Sequence, residues 1–493
     1  MARARYVLSI DQGTTGTHVC VVDAKVQVVG RAYQEFTQFF PKPGWVEHDL
    51  EEIWKSVETT IARALRSAGI KPTDLAAIGI TNQRETTALW TRAGKPIHKA
   101  IVWQDRRTSD YCAELKARGE EARVRQTTGL VLDPYFSGTK VRWLLDHVKG
   151  AAQRADAGEL CFGTIDAWLV FKLSGHAAHV TDVSNASRTL LMDLHTLQWD
   201  TAMLQLFGIP RAILPRIGAS SELYGLTRGM KSLPDGIPIA GMAGDQQAAL
   251  FGQACFAPGE AKCTYGTGAF LLMNVGDKPV ASKAGLLSTV AWKVGTQTNY
   301  ALEGSAFIAG AAVQWLRDGL KLIKKASDIE RLASQVKETG AVVFVPALAG
   351  LGAPHWRPEA RGIFAGIDRS TTSAHLARAV LEGMALQIFE LADAMRLDSG
   401  RDIPAFKVDG GAVHNDLLMQ FQADILGTPV VRPKNSETTS LGAAFLAGLG
   451  VGLWHSPEQI RKSWKADKIF KPKMSAEVRA KHLSKWRDAV KRA

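Results

Sequence analysis

The sequence predicts an α/β protein made of two duplicated domains with a cleft between them. A chain of 493 residues is too long for one ordinary hydrophobic core and favours two domains of roughly 250 residues each. Hydrophobic residues make up 46% of the chain and charged residues 22%, with 45 glycines, which is typical of a globular α/β protein. Each half also contains the same pattern of a strand, a tip of glycine and threonine, and a second strand.

The first of these patterns begins the chain. Apolar and polar residues alternate from Tyr6 to Ile10 and again from His18 to Val22, on either side of the turn Asp11–Gly16. This alternation around a turn predicts a β-hairpin. A third β-like run, 26–32, continues the hairpin as a meander.

Helical patterns follow the strands. Residues 49–52 read as a capping box, in which Asp49 accepts from the backbone and Glu52 reaches back. A second helix is predicted over Ser305–Leu320. The first helix carries an apolar stripe at helical spacing, which belongs to the core: Ile53, Trp54, Val57, Ile61, Ala64 and Leu65.

The second strand–tip–strand pattern spans 261–273, with Gly266-Thr267-Gly268 at its tip. The segment 252–259 contains glycine and proline, and we expect the domain boundary there. The predicted domains are therefore 1–252 and 253–493.

Two further strands run into glycine turns that precede helices. The strand Ile237–Ala240 leads through a turn to Asp245 and a helix, and Phe406–Val408 leads into Asp409-Gly410-Gly411. Asn415 or the next residue then caps another helix. A glycine turn between strand and helix allows close approach of a nucleotide.

Two common classes of nucleotide-binding protein are excluded by their missing motifs. The chain contains no G-x-x-x-x-G-K-[ST] segment and no H-R-D or D-F-G motif, which excludes P-loop NTPases and protein kinases. What remains is the pair of glycine and threonine tips, which supply backbone N–H groups and hydroxyls at close range. Either tip alone is an ordinary turn. Together with Asp11 at the first tip, they suggest phosphates held between two domains.

Arg84 and Glu85 follow a short apolar strand. As an isolated pair they would be a weak surface ion pair. Their alternative role is recognition of hydroxyl groups, because a guanidinium donates hydrogen bonds and a carboxylate accepts them. The pair could thus bind a diol without requiring a charged ligand.

Three aromatic residues and one aspartate are equally open to two interpretations. Trp103, Tyr135 and Phe270 could cover a carbon skeleton, although single aromatic residues more often belong to a core. Asp245 ends an apolar run, where a buried carboxylate is costly without a functional or hydrogen-bonding reason.

Charge and cysteine content limit the possible partners and the cellular compartment of the protein. The net charge of +12 raises the possibility of nucleic-acid binding, but much of the excess lies in Arg461–Arg492, and aromatic-interleaved basic motifs are absent. We expect a solvated basic tail from about 461 and no nucleic-acid partner. Five widely spaced cysteines without a C-x-x-C pair favour reduced thiols and a cytoplasmic location. No apolar run reaches the roughly 20 residues of a membrane span.

Seven segments in order resemble the FGGY family of carbohydrate kinases, and Gln83-Arg84-Glu85 with Trp103 is similar to its glycerol-phosphorylating members. The resemblance covers the chain to about residue 455 and implies two actin-like (ribonuclease H-like) ATPase domains, with mixed sheets flanked by helices around a central cleft. The segments are Asp11–Thr15, Asn82–Glu85, Val102–Gln104, Gly244–Gln247, Tyr265–Gly268, Gly350–Pro354 and Asp409–Gly411.

The resemblance also implies ATP-dependent phosphorylation of glycerol with Mg²⁺, by a homodimer or homotetramer, with Asp245 as the catalytic base and Asp11 and Asp245 at the metal. The implied glycerol ligands are Arg84, Glu85, Trp103, Tyr135, Asp245, Gln246 and Phe270. The implied nucleotide ligands are Thr14, Thr15, Gly16, Thr267, Gly310, Gln314, Gly411 and Asn415.

Two positions depart from the family pattern. The first tip reads Gly16-Thr17-His18, where many members carry serine first and arginine third, so the group that meets the terminal phosphate is open. Gly236 stands where some members have an arginine linked to inhibition by sugar bisphosphates, so we do not expect that regulation. The alternatives left open are a kinase of this family for dihydroxyacetone, xylulose or another sugar, an actin-like ATPase, and a nucleic-acid binder.

Overall fold

A computed structural model describes residues 5–493. Its strands are, in chain order, β1 (Tyr6–Gln12), β2 (Gly16–Asp23), β3 (Val28–Glu35), β4 (Glu47–His48), β5 (Leu75–Asn82), β6 (Ala88–Thr91), β7 (Ala100–Ile101), β8 (Leu160–Gly163), β9 (Val180–Asp182), β10 (Met192–Asp193), β11 (Gln198–Trp199), β12 (Arg216–Gly218), β13 (Ser221–Leu226), β14 (Pro238–Gly244), β15 (Ala261–Tyr265), β16 (Ala269–Gly276), β17 (Leu287–Val294), β18 (Gln297–Ala306), β19 (Val343–Val345), β20 (Ile363–Ala365), β21 (Phe406–Asp409), β22 (Val430–Pro433) and β23 (Ala466–Phe470).

The helices are α1 (Leu50–Ala68), α2 (Ser109–Ala117), α3 (Glu121–Thr128), α4 (Ser137–His147), α5 (Ala151–Asp156), α6 (Ile165–Leu173), α7 (Val183–Ala186), α8 (Thr201–Phe207), α9 (Asp245–Gly252), α10 (Gly310–Asp318), α11 (Asp328–Ala333), α12 (Ser373–Ser399), α13 (Asp416–Leu426), α14 (Thr438–Gly450), α15 (Pro457–Ser463) and α16 (Ala476–Val490). Short 3₁₀ turns lie at Pro72–Asp74, Arg211–Ile213 and Gly411–His414.

Thirteen strands form one continuous sheet in the order β3, β2, β1, β5, β14, β13, β17, β18, β16, β15, β21, β22, β23. Both predicted hairpins are present, β1–β2 and β15–β16, and β3 continues the first as a meander. The sheet is mixed, because β5 runs parallel to β1 and β21 runs parallel to β15. In each half a parallel strand thus lies beside the first strand of the hairpin, as duplicated domains require.

The two halves of the sheet are joined at β13 and β17, which pair in parallel through Ser221 and Val294. Helix α14 also connects the two halves of the sheet. It follows the strands of the second half in sequence, but it packs on β5 and β14 of the first half. A Cβ on Gly79 would lie 2.2 Å from the carbonyl oxygen of Ala443, and one on Gly241 would lie 2.2 Å from the nitrogen of Ala447. Glycine at these two strand positions is what lets the helix lie directly on the sheet.

Two local predictions need correction. Asp49 caps α1 by accepting from the backbone nitrogens of Glu51 and Glu52. The predicted bond from the Asp49 backbone N–H to the Glu52 carboxylate is not made, because that carboxylate accepts from Thr37 instead. The helix predicted from Ser305 begins at Gly310. Ser305 and Ala306 instead end β18, where Ala306 pairs with Ala269 of β16, and this long-range pairing overrides the local helical pattern.

The basic segment from about 461 is folded rather than a loose tail. It contributes β23, which pairs antiparallel with β22, and α16, whose Trp486 is buried. Its charged side chains do face solvent, as expected: those of Lys481 and Lys491 are 67% and 77% exposed. The segment therefore contributes to the core while keeping its charge at the surface. Among the helices of residues 5–493, none is both long enough and apolar enough to cross a membrane.

Candidate active site

A cavity of about 850 Å³ lies between the tips of the two hairpins. It is lined by residues from both halves of the sheet, so the tertiary structure brings together segments that are far apart in sequence. Its walls include nine of the predicted ligands: Thr14, Arg84, Glu85, Trp103, Tyr135, Asp245, Gln246, Thr267 and Phe270.

The first hairpin tip faces this cavity. Gly13 donates its backbone N–H to the carbonyl of Gly16 at 2.9 Å, closing the turn, and Trp103 Nε1 donates to Thr14 Oγ1 at 2.9 Å. Thr15 is exposed at the tip. A Cβ at position 16 would lie 2.6 Å from the ring of Tyr33, an exposed side chain that would have to move to admit it.

The second tip rests against the start of α10. Gly310 donates its N–H to the carbonyl of Gly266 at 2.9 Å, and the nitrogens of Ala309 and Ala311 both donate to Thr267. A Cβ on Gly310 would lie 2.6 Å from the Gly266 oxygen, so only glycine allows this approach. Gln314 follows one turn later with an exposed side chain.

Gly411 and Asn415 lie beside the second tip, outside the lining of the large cavity. Strand β21 is parallel to β15 with Thr264 opposite Asp409, so the turns that follow both strands meet at one edge of the sheet. A Cβ on Gly411 would meet no protein atom within 4 Å. Asn415 caps α13 by accepting from Leu418 N at 2.8 Å. The predicted nucleotide ligands of the second half therefore surround one sheet edge.

Arg84 is buried, with 3% of its surface exposed, and its guanidinium is held from several sides. Glu303 accepts from its Nη1 at 2.5 Å and from its Nη2 at 3.0 Å. Asp245 Oδ1 lies 3.1 Å from its Nε, and Gln247 accepts from its Nη1 at 3.2 Å. Such a bidentate, charge-assisted pair fixes the plane of the guanidinium.

Glu85 has a left-handed backbone, with φ of +60°. A non-glycine residue in this region costs about 1–3 kcal/mol, and such strain concentrates at functional sites. Its Oε1 accepts from Arg188 Nε at 2.7 Å, and its side chain lines the cavity. Burial raises the pKa of Glu85, against the charges of Arg84 and Arg188. The strained backbone therefore aims a carboxylate into the cleft.

Sequence reasoning missed Arg188 and Glu303. Both are fully buried, and Arg188 Nη2 donates to Glu303 Oε1 at 2.9 Å. Burial would raise the pKa of Glu303, but the charges of Arg188 and Arg84 outweigh it and lower the pKa to about 2. The available signal was a single carboxylate inside the apolar run of β18, beside Leu302.

Asp245 begins α9 at the end of β14, and its side chain is 31% exposed. Strand β14 extends past the predicted Ala240 to Gly244, which pairs with Asn82, and this carries Asp245 to the cleft. Burial raises the pKa of Asp245, against the lowering effect of Arg84 and Lys262. A carboxylate with a raised pKa is better suited to accept a proton.

Gln246 lines the same cavity, but its side-chain oxygen already accepts from the buried Lys262. Lys262 also donates to Thr264 Oγ1 at 2.9 Å. The lysine was not anticipated from the sequence, because it lies in the alternating pattern of β15. Gln246 is thus oriented by a buried cation.

The three aromatic residues surround one part of the cavity. The ring centroids of Trp103 and Tyr135 are 5.7 Å apart, and those of Trp103 and Phe270 are 6.3 Å apart, both edge-on. Apolar faces next to the polar groups of Arg84 and Glu85 suit a small ligand with a carbon chain and several hydroxyls.

Asp11 and Asp245 supply the oxygen ligands that Mg²⁺ prefers. Burial raises the pKa of Asp11 to about 8, and the negative charges of Asp245 and Glu437 add to this rise. Such an excess of negative charge among partly buried carboxylates is what a divalent cation would compensate. The residues present therefore fit a magnesium ion at Asp11 and Asp245.

The two positions that depart from the family pattern, Gly236 and His18, each fit their surroundings in the structure. Gly236 has φ of +94° and open surroundings, so an arginine there would be strained. His18 lies opposite Asp11 across the first hairpin, and its Nδ1 is 3.4 Å from Glu437.

Comparison with known proteins adds family evidence to this geometry. The N-terminal domain of the FGGY family of carbohydrate kinases matches residues 6–252, and its C-terminal domain matches residues 261–451. The chain belongs to the FGGY family of carbohydrate kinases. The expected fold of two actin-like domains is thereby confirmed.

Several relatives of the family match over the full length. The glycerol kinase of Myxococcus xanthus is 71% identical and covers 100% of both chains. The structure of Plasmodium falciparum glycerol kinase with ADP superposes with a TM-score of 0.93 at 40% identity, covering 99% of this chain and 98% of that one. Gluconate kinase from Lactobacillus acidophilus, 24% identical with a TM-score of 0.88 over 98% of this chain and 96% of that chain, shares the fold.

Proposed function

We propose that this chain transfers the γ-phosphoryl group of ATP to a primary hydroxyl of glycerol, forming sn-glycerol 3-phosphate. The observation that carries the proposal is the single cavity in which Arg84, Glu85 and Asp245 meet aromatic faces beside two glycine–threonine tips. Full-length relatives that bear the name glycerol kinase support the same substrate.

Arg84, Glu85 and Tyr135 bind the hydroxyls of glycerol, and Trp103 and Phe270 cover its carbons. Glycerol carries no charge, so recognition depends on hydrogen bonds that would be left unpaired by an analogue without the hydroxyls. Gln246, held by Lys262, completes the polar wall. Because the Arg84 guanidinium is already fixed by Glu303, the acceptor site is organised before glycerol binds.

The two hairpin tips hold the phosphates of ATP. Thr14, Thr15, Gly16 and Thr267 offer hydroxyls and backbone N–H groups at close range. The adenosine lies along the sheet edge formed by Gly310, Gln314, Gly411 and Asn415. With ATP held there and glycerol bound at Arg84 and Glu85, donor and acceptor would be positioned for in-line transfer, and such positioning supplies much of the rate enhancement in phosphoryl transfer.

Asp245 removes the proton of the attacking hydroxyl as the bond to phosphorus forms and the bond to the leaving ADP oxygen breaks. Its raised pKa and its 31% exposure toward the cleft suit a base. When bound at Asp11 and Asp245, Mg²⁺ supplies neutralisation of the charge on the phosphates.

The acceptor is tested by measuring ADP release with glycerol, dihydroxyacetone, xylulose, ribulose and no acceptor. We expect the highest kcat/KM with glycerol. A higher value with a ketose would assign a different member of the family. ADP release at the same rate without any acceptor would instead indicate an actin-like ATPase.

Glu85→Ala is expected to raise the KM for glycerol by about 10- to 100-fold, because a hydrogen bond to a charged group is worth about 1.5–3 kcal/mol. The KM for ATP should change little. Steady-state kinetics with both substrates varied measure the two values. Glu159→Ala, at a carboxylate that is 58% exposed, serves as the control, and an unchanged glycerol KM in Glu85→Ala would contradict the assigned role.

Gly411→Ala is expected to weaken ATP binding by about tenfold, or about 1.4 kcal/mol, because the added methyl occupies space that the nucleotide needs. The free protein should be no less stable, since that methyl meets no protein atom within 4 Å. Equilibrium binding of ATP and denaturant unfolding give the two readouts. Gly310→Ala is the contrasting variant, because its methyl would clash with Gly266 and should lower stability as well. Unchanged ATP affinity in Gly411→Ala would place the nucleotide elsewhere.

A cytoplasmic location accords with five free cysteines, since oxidising compartments favour disulfides. An assembly of two or four copies remains a prediction, and sedimentation at several protein concentrations would measure it.

A further inference from the structure

His18, Cys20 and Glu437 form a cluster of potential metal ligands that the proposed reaction does not use. One donor atom from each lies within 4.8 Å of the others. His18 Nδ1 is 3.4 Å from Glu437 Oε2 and 3.9 Å from Cys20 Sγ. Nitrogen, sulfur and carboxylate oxygen are together the donor types of protein zinc sites.

The backbone fixes the three positions. His18 and Cys20 are two residues apart on β2, so their side chains share one face of the strand. Glu437 directly precedes α14, which is packed on the central strands of the first half. The donors are therefore held by a strand and by the start of a docked helix rather than by a long loop.

One of the donor distances matches a tetrahedral zinc ion, and the others are somewhat longer. Zinc bonds of about 2.0–2.2 Å to nitrogen and oxygen and about 2.3 Å to sulfur place neighbouring donors about 3.3–3.6 Å apart. The nitrogen-to-oxygen distance already agrees. The 3.9 Å between His18 Nδ1 and Cys20 Sγ is longer than this range, so the imidazole of His18 would have to rotate when the ion binds, which its broad side-chain torsion allows.

An ion can reach the cluster from the surface. The His18 and Glu437 side chains are 20% and 28% exposed, whereas Cys20 is fully buried behind them. Glu437 also lines a surface groove of about 680 Å³. Its competing partner there is Arg31, at 3.4 Å and 68% exposed, and an exposed ion pair of this kind is weak.

We propose that His18, Cys20 and Glu437 bind a thiophilic divalent cation of the zinc type, and that its binding inhibits phosphoryl transfer. Three metal–ligand bonds form, and the Cys20 thiol releases its proton to solvent, because a coordinating thiol is deprotonated outright. A water molecule would complete the tetrahedron. The proposal that the cation binds depends only on the geometry of the three side chains. The proposal that it inhibits the enzyme also rests on the proposed function.

Inhibition follows from the neighbouring groups. His18 is opposite Asp11 across the hairpin, and its Nδ1 is 3.5 Å from Ser440 Oγ. Glu437 is close enough to Asp11 to raise the pKa of that carboxyl. A second divalent charge at this cluster would repel the magnesium ion proposed at Asp11.

Cadmium titration of the full-length protein tests the binding, since cadmium–thiolate bonds give an ultraviolet charge-transfer band. We expect the wild type to show this band with saturation at one cadmium per chain. Cys20→Ala should lose the band, and Glu437→Gln, at a partly exposed residue, should weaken the affinity by at least about tenfold. Cys112→Ala, at a buried thiol in α2, is the matched control and should retain it.

The same variants separate binding from inhibition. Zinc, in the presence of excess Mg²⁺ and ATP, should lower glycerol-dependent ADP release by about tenfold in the wild type and in Cys112→Ala, but not in Cys20→Ala. Absence of the cadmium band in the wild type, or its persistence in Cys20→Ala, overturns the site. A normal band with no zinc effect overturns the inhibition. If no variant phosphorylates glycerol, the proposed function fails while the cadmium result still decides the site.

Discussion

Replacing Asp245 with asparagine is expected to lower turnover by about 10²–10⁴-fold, the range that base catalysis supplies. Asparagine keeps the shape of the side chain beside Arg84 but cannot accept the proton of the attacking hydroxyl. The KM for glycerol should change far less than kcat, because the hydroxyl ligands Arg84 and Glu85 remain. Single-turnover measurement of ADP formation at saturating glycerol checks the prediction.

Asp235→Asn is the matched control, since Asp235 is exposed in the same half of the chain and lies outside the cavity lining. Binding of ATP, measured by equilibrium titration, should be similar in both variants and in the wild type. Turnover within about twofold of the wild type would show that Asp245 is not the base, because that difference is far below the catalytic contribution expected.

Replacing Glu303 with glutamine is expected to destabilise the fold by about 3–5 kcal/mol, because it leaves two buried guanidinium groups without their shared counterion. Arg84 and Arg188 both depend on this carboxylate. The KM for glycerol should rise as well, since Arg84 loses the bidentate pair that orients it. Denaturant unfolding and steady-state kinetics measure the two effects. Glu260→Gln, whose partner Arg461 is 41% exposed, is the control and should cost at most about 1 kcal/mol.

The stability difference between wild type and Glu303→Gln should depend on pH. The pKa of Glu303 falls from its ordinary 4.5 to about 2 in the folded protein. Its ionised form therefore stabilises the fold fully above pH 4.5, and this contribution is lost as the pH falls through about 2. We expect the difference in unfolding free energy to narrow over that window. A difference that stays constant as the pH is lowered would mean that the charge of Glu303 is not what stabilises the fold.

Much of the local structure could be predicted. The two hairpins follow from period-two alternation around glycine turns, and both are present. The caps at Asp49 and Asn415 are satisfied as their residue types suggested, because a capping bond spans only two or three residues. Predictions failed where a distant partner intervened, as at Glu52, which bonds Thr37, and at Ala306, which pairs with Ala269.

The same distinction holds for the candidate site. Arg84, Glu85 and Asp245 were found because polar residues at the ends of apolar strands stand out in a linear pattern. Glu303 and Arg188 were missed because their role depends on partners that are distant in the sequence. Arg84 and Glu303, for example, are 219 residues apart. The bond leaves no local trace, and the burial of Glu303 was indicated only by its place in the apolar run of β18.

The amino-acid order by itself determined the α/β class and the duplicated hairpins with their glycine–threonine tips, because these depend on short-range periodicity and turn chemistry. The family was indicated separately, by the resemblance of seven short segments. Only the tertiary structure decided which charges are buried together and how α14 packs on the first half of the sheet. It also decided that the donor atoms of His18, Cys20 and Glu437 lie close to one another. These outcomes depend on contacts between residues far apart in the sequence. The free energy of such a contact is set by both partners, and the pattern around one residue does not specify the other.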